Sequence, residues 1–81
     1  MPTILLWNGY RLFFYANEGS PLEGRHIHVR KDKNVAKFWL DPEPHLASSW
    51  GMTAKELNVL ERVVRDNIDL LRRKWDERFA A

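Results

Sequence analysis

The chain contains no cysteine. That excludes disulfides, thiolate nucleophiles and cysteine-ligated metal centres. Small secreted domains usually need disulfide staples, so the expected setting is a reducing cytoplasm. Long apolar runs are missing too. No stretch approaches the roughly 20 residues that a membrane-spanning helix requires. The opening Met1-Pro2-Thr3-Ile4-Leu5-Leu6-Trp7 has no positively charged region ahead of its short apolar run, so it is not expected to act as a signal peptide. There is no glycine-rich phosphate loop, no internal repeat and no low-complexity segment. Ser48-Ser49 has no organised base beside it in the sequence, so a serine nucleophile is not indicated. Charge of one sign is nearly balanced: thirteen Lys/Arg against eleven Asp/Glu leave a net +2.

What is present reads as one α+β domain. Eighty-one residues fall below the usual domain size of about 100–150. Binding a partner, or forming a homodimer or hetero-oligomer, would stabilise a domain this small. Asn8-Gly9 lies between two apolar runs and predicts a type I′ hairpin turn, whose two central residues need positive φ. Strands are expected at 3–7 and 10–15, with Trp7 opposite Tyr10 and Leu5 opposite Leu12. Alternation then places Leu5, Trp7, Tyr10, Leu12 and Phe14 on one face and Ile4, Leu6, Arg11, Phe13 and Tyr15 on the other. Both faces are largely apolar, which predicts cover on both sides.

Residues 17–24 are a loop by composition. A second hairpin is expected from strands 26–31 and 34–40 around a turn at Asp32-Lys33. This register sets His28 across from Lys37 and His26 across from Trp39. Ile27, Val29, Ala36, Phe38 and Leu40 form a core face. His26, His28, Arg30, Lys37 and Trp39 lie opposite. The sheet ends at Asp41-Pro42-Glu43-Pro44, because proline donates no ladder bond. The segment 41–52 is expected to link sheet and helix, with a short extended piece at 45–52.

Thr53-x-x-Glu56 is a capping box. Leu57, Leu60, Val64, Ile68, Leu71, Trp75 and Phe79 follow at helical spacing, predicting one long helix over 53–79. Such a helix would be about 40 Å long, too long for a four-stranded sheet to cover. Trp75 and Phe79 are therefore candidates for contact with a partner protein, unless the helix breaks near Asn67. The predicted architecture is an antiparallel β-meander of about four strands packed against one C-terminal helix.

Candidate chemistry concentrates on the second hairpin. Arg25, Arg30, Lys31, Lys33 and Lys37 against Asp32 give +4 between residues 25 and 37, a patch that attracts phosphate. His26 and His28 titrate near neutral pH and are candidate acid/base catalysts. Arg25, Arg30 and Lys37 are candidate phosphate contacts, and Trp39 is a candidate base-stacking residue. Any enzyme built this way would be a metal-independent nuclease. The two histidines alone are a poor metal site, and no metal or other cofactor is expected. The competing reading is a non-catalytic protein-interaction or nucleic-acid-binding module.

Several segments resemble a known family. Met1-Pro2-Thr3-Ile4, Tyr15-Ala16-Asn17-Glu18-Gly19, His26-Ile27-His28-Val29, Ala36-Lys37-Phe38-Trp39-Leu40-Asp41-Pro42 and Glu56-Leu57 leading to Asn67 and Trp75 are similar, in order and spacing, to the bacterial domain of unknown function 4160. Gly24-Arg25 stands where members usually carry Pro-Pro. Members are commonly encoded beside a member of domain of unknown function 2442, in pairs that look like toxin–antitoxin modules. The resemblance therefore implies a growth-inhibiting toxin neutralised by direct binding of a cognate antitoxin. It transfers no catalytic residue, and under it the non-catalytic alternative becomes the regulatory or antitoxin half of such a pair.

Overall fold

A computed structural model describes residues 3–16 and 23–79. Its sheet has five antiparallel strands in the order β1-β2-β3-β4-β5. They are β1 (Thr3–Trp7), β2 (Tyr10–Phe13), β3 (His26–Lys31), β4 (Asn34–Trp39) and β5 (His45–Trp50). Two helices follow, α1 (Ala54–Asp66) and α2 (Ile68–Phe79). The α+β meander expected from the sequence is thus present, with two corrections: five strands rather than four, and two helices rather than one.

Both hairpins take the predicted register. Trp7 pairs with Tyr10 and Leu5 with Leu12; His26 pairs with Trp39 and His28 with Lys37. The turns explain why. Asn8 (φ 51°) and Gly9 (φ 85°) both occupy the left-handed region, and so does Asp32 (φ 56°). One local departure occurs at a bulge between Thr3 and Leu5. It lets Ile4 join Leu5 and Trp7 against the core, although strict alternation put Ile4 on the other face.

The fifth strand lies inside the segment expected to be a linker. It pairs with β4, Val35 opposite Trp50 and Trp39 opposite His45, with a bulge beside Lys37/Phe38. Gly51 ends it at φ 82°, a conformation that favours glycine, and a methyl group there would also oblige the Asn34 side chain to move.

Thr53 caps α1 through the predicted box. The Glu56 amide donates to Thr53 Oγ1 at 3.1 Å and the Thr53 amide donates to Glu56 Oε1 at 3.0 Å. The helix yields at Asn67, whose φ of −114° leaves the helical region. The Asn67 side-chain amide donates to the Val63 carbonyl at 2.8 Å, occupying an acceptor at the end of α1. The break lets both halves of the apolar stripe reach the sheet. Leu60, Val63 and Val64 of α1 and Leu71 and Trp75 of α2 are buried with Leu12, Phe14, Ile27, Val29, Ala36, Phe38 and Leu40. Each large apolar side chain fully buried there contributes about 1.5–3 kcal/mol.

Helices and sheet are also tied by charge. Asp41, just after β4, receives Arg25 Nε at 2.7 Å and Arg72 Nε at 3.1 Å. Arg72 Nη2 donates to the carbonyls of Leu40 (2.9 Å) and Pro42 (3.1 Å). Arg25 also reaches Asp76 on α2, at 3.0 Å. Hydrogen bonds from Arg25 first, then the charges of Arg25 and Arg72, hold the Asp41 carboxyl below its ordinary range against the opposing effect of burial.

Candidate nucleic-acid interface on the open sheet face

Both helices pack on one face of the sheet, and the strand registers order what lies on the other. One row crosses all five strands: Leu6, Arg11, Arg30, Val35 and Trp50. The next holds Phe13, His28, Lys37 and Ser48. A third holds His26, Trp39 and His45. No helix among the described residues covers the first two rows; in the third, Trp75 of α2 lies against His26. Leu6 (71 %) and Trp50 (64 %) are the most exposed large apolar side chains, one on each edge strand.

The middle of this face is an aromatic cluster. Phe13 is buried although it lies outside the main core. Arg11 sits over its ring at 5.0 Å, Tyr15 meets it edge-on at 5.1 Å and His28 stacks beside it at 5.7 Å. Tyr15 and His28 are 4.6 Å apart by ring centroids. The expected cover on the second face of the first hairpin is therefore supplied in part by these neighbours, while Leu6 stays open.

The candidate residues divide into four groups. His26 and His28 lie edge to face, with ring centroids 5.1 Å apart. His26 is fully buried, because Trp75 of α2 reaches round the end of β3 to within 4.9 Å of its ring and Trp39 flanks it at 5.6 Å. Its Nδ1 faces the Gly24 carbonyl at 2.9 Å, which makes Nδ1 the protonated nitrogen. His28 is half-buried and reaches the open face. Arg25 belongs to the Asp41–Asp76 network, so its charge is balanced within the fold. It ties the start of β3 to α2.

Lys37, Trp39 and Arg30 stand on the open face. Lys37 Nζ lies 4.5 Å from the Trp39 ring and 3.1 Å from Glu23 Oε1. That hydrogen bond holds the Glu23 carboxyl below its ordinary range. Arg30 is exposed, and its Nε donates to the Asp32 carbonyl at 3.0 Å. Arg11, directly across from Arg30, adds a cation that the hairpin-centred sequence reading left out. The register Leu5–Leu12 already placed it on this face. Trp75 is buried in the core, 5.4 Å from Phe14, and Phe79 packs 4.3 Å from Trp75.

A groove of about 260 Å³ runs diagonally across the open face, lined by Tyr15, His28, Val35, Lys37, Ser48 and Trp50 among others. Among the described residues no carboxylate lines it, while Glu23 pairs with the lining Lys37 at 3.1 Å. A second cavity, of about 230 Å³, lies between the first hairpin and α1. There Glu56 is engaged by the Tyr10 hydroxyl at 2.6 Å and by the Thr53 amide. Among the described residues no group of three His, Asp or Glu side chains is placed to hold a metal ion. No described helix is long and apolar enough to cross a membrane.

An antiparallel meander with both helices on one face and a cationic, aromatic opposite face defines the class: a small α+β domain. The chain belongs to the family described as Domain of unknown function (DUF4160), whose model matches residues 9–76. No curated protein and no solved structure gives a significant match.

Proposed function

We propose that this protein is the growth-inhibiting toxin of a two-protein module, held inactive by direct binding of a cognate antitoxin. In this reading it acts through the open face of its sheet. The observation that supports a surface-borne function is the division of the sheet. The helices cover the centre of one face, while the other carries Arg11, Arg30, Lys37, His28 and Trp50 with no helix over them. In this reading the target of the open face is nucleic acid, since its cations and aromatic rings suit phosphate and bases.

The burial of His26 favours action by binding over acid/base catalysis. A general base must come within hydrogen-bond reach of the proton it takes. A fully buried ring under Trp75 and Trp39 offers no such approach, so His26 shapes the face in this reading. His28 remains as a contact residue.

The test is induced expression in a susceptible bacterial host, with and without the neighbouring reading frame. Arrest by the protein alone, relieved by co-expression and accompanied by a stable complex of the two chains, is the expected result. Unimpeded growth with abundant soluble protein would remove the toxin reading.

A further inference from the structure

The geometry points to a specific site within that surface: the groove between Tyr15 and Trp50 binds a short stretch of single-stranded nucleic acid, with the two rings as stacking platforms and Lys37 between them. This rests on the nucleic-acid reading of the open face and deepens it.

Tyr15 and Trp50 are both exposed, at 41 % and 64 %. They stand at opposite ends of one groove. Tyr15 follows β2 and Trp50 ends β5, so three strand spacings of about 4.8 Å separate their lanes. That span, with the diagonal offset between rows, suits the two or three splayed bases that an open sheet stacks on its aromatics. His28 and Lys37 form the middle of the groove as a cross-strand pair, and Ser48 lies opposite Lys37 on β5. A serine hydroxyl both donates and accepts, so it tolerates any base edge. Val35, in the row between Arg30 and Trp50, supplies an apolar step.

The charges lie along the flank. Arg30 adjoins Val35 in the row that ends at Trp50, and Arg11 stands next to Arg30. Like charges directly opposite on adjacent strands are unfavourable. Here Arg11 turns over Phe13 while Arg30 turns toward Asp32. A polyanion lying along the groove would relieve that opposition. Duplex nucleic acid fits poorly, because its bases are already stacked and cannot reach the two rings. A protein partner laid in the groove would not require its ends to be aromatic; splayed bases do.

Fluorescence anisotropy with labelled 12-mers of oligouridine and oligothymidine, and with a 12-bp duplex, tests the site. The single strands should bind and the duplex should bind far more weakly. Tyr15→Ala and Trp50→Ala should each raise Kd by about tenfold or more. Arg30→Gln should lower the slope of log K against log salt by about 0.7, the value for one phosphate contact on a single strand. Val59→Ala, an exposed site on α1, should change nothing. Thermal midpoints matching the wild type certify each variant as folded, and Tyr15→Phe should restore binding by keeping the ring. Absence of single-strand binding by the wild type, or equal binding by both folded aromatic variants, would overturn the site. Growth arrest without oligonucleotide binding overturns the site but leaves the toxin; oligonucleotide binding without arrest supports the site and overturns the toxin.

Discussion

On the helix-covered face, Ile27, Val29, Ala36 and Phe38 meet Leu60, Val64 and Leu71 and are almost entirely removed from solvent. On the open face the intervening residues of the same strands, His28, Arg30, Val35 and Lys37, have no helix over them, and Arg30 is exposed. The same backbone alternation produces both surfaces, one residue apart. The contrast separates two kinds of importance. Residues of the covered face should matter for folding and those of the open face for function, and each can be perturbed without the other.

The largest expected effect breaks the covered side. Phe38→Ala removes a fully buried ring from the centre of the core. It should lower unfolding free energy by about 3–5 kcal/mol, read as the urea midpoint. In a domain this small that is a large share of the whole stability. Gly51→Ala comes next. Its positive φ and the adjacent Asn34 side chain should make it cost about 1–3 kcal/mol, with exchange protection lost first in β5. Thr53→Ala removes the capping box and should cost about 1 kcal/mol. Far-UV circular dichroism should then report fraying at the start of α1.

A smaller effect appears in acid. The folded-state pKa values of Asp41 and Glu56 are depressed, the first chiefly by Arg25 and the second chiefly by the Tyr10 hydroxyl. Their contribution is therefore complete above the unfolded carboxyl range, about pH 4, and is lost as pH falls through the depressed folded values. Thermal midpoints measured downward from pH 5 should fall, and Asp41→Asn should flatten part of that fall. The smallest effect sharpens the comparison from the open side. Trp50→Ala should leave the thermal midpoint nearly unchanged, within about 0.5 kcal/mol, because most of its ring is already in water.

The hairpins were legible because turn chemistry fixes register. Asn8-Gly9 and the two-residue turn at 32–33 set every cross-strand pair that places Lys37 beside His28. The capping box was legible because it is local. The extended piece at 45–52 and the alternative of a break near Asn67 were legible, but the pairing of the one, the choice of the other and the cover over His26 depend on tertiary contact. His45–Trp50 carries no apolar alternation and is exposed throughout, so only its pairing with β4 makes it a strand. The break at Asn67 leaves the apolar stripe almost in phase, and a stripe in phase reads as one helix. The burial of His26 comes from Trp75, nearly fifty residues later, closing over the strand end. Alternation alone put both histidines on the open face, and it could not show that a helix covers one of them. Arg25 similarly reads as free charge until Asp41 and Asp76 are brought to it.

The central claim is that the open face carries the function while the covered face carries the fold. Culture turbidity after induced expression tests it most directly, comparing wild type with a Tyr15→Ala/Trp50→Ala double variant at matched soluble levels and matched thermal midpoints. The account predicts arrest by the wild type and normal growth with the double variant. Equal arrest by both would contradict it.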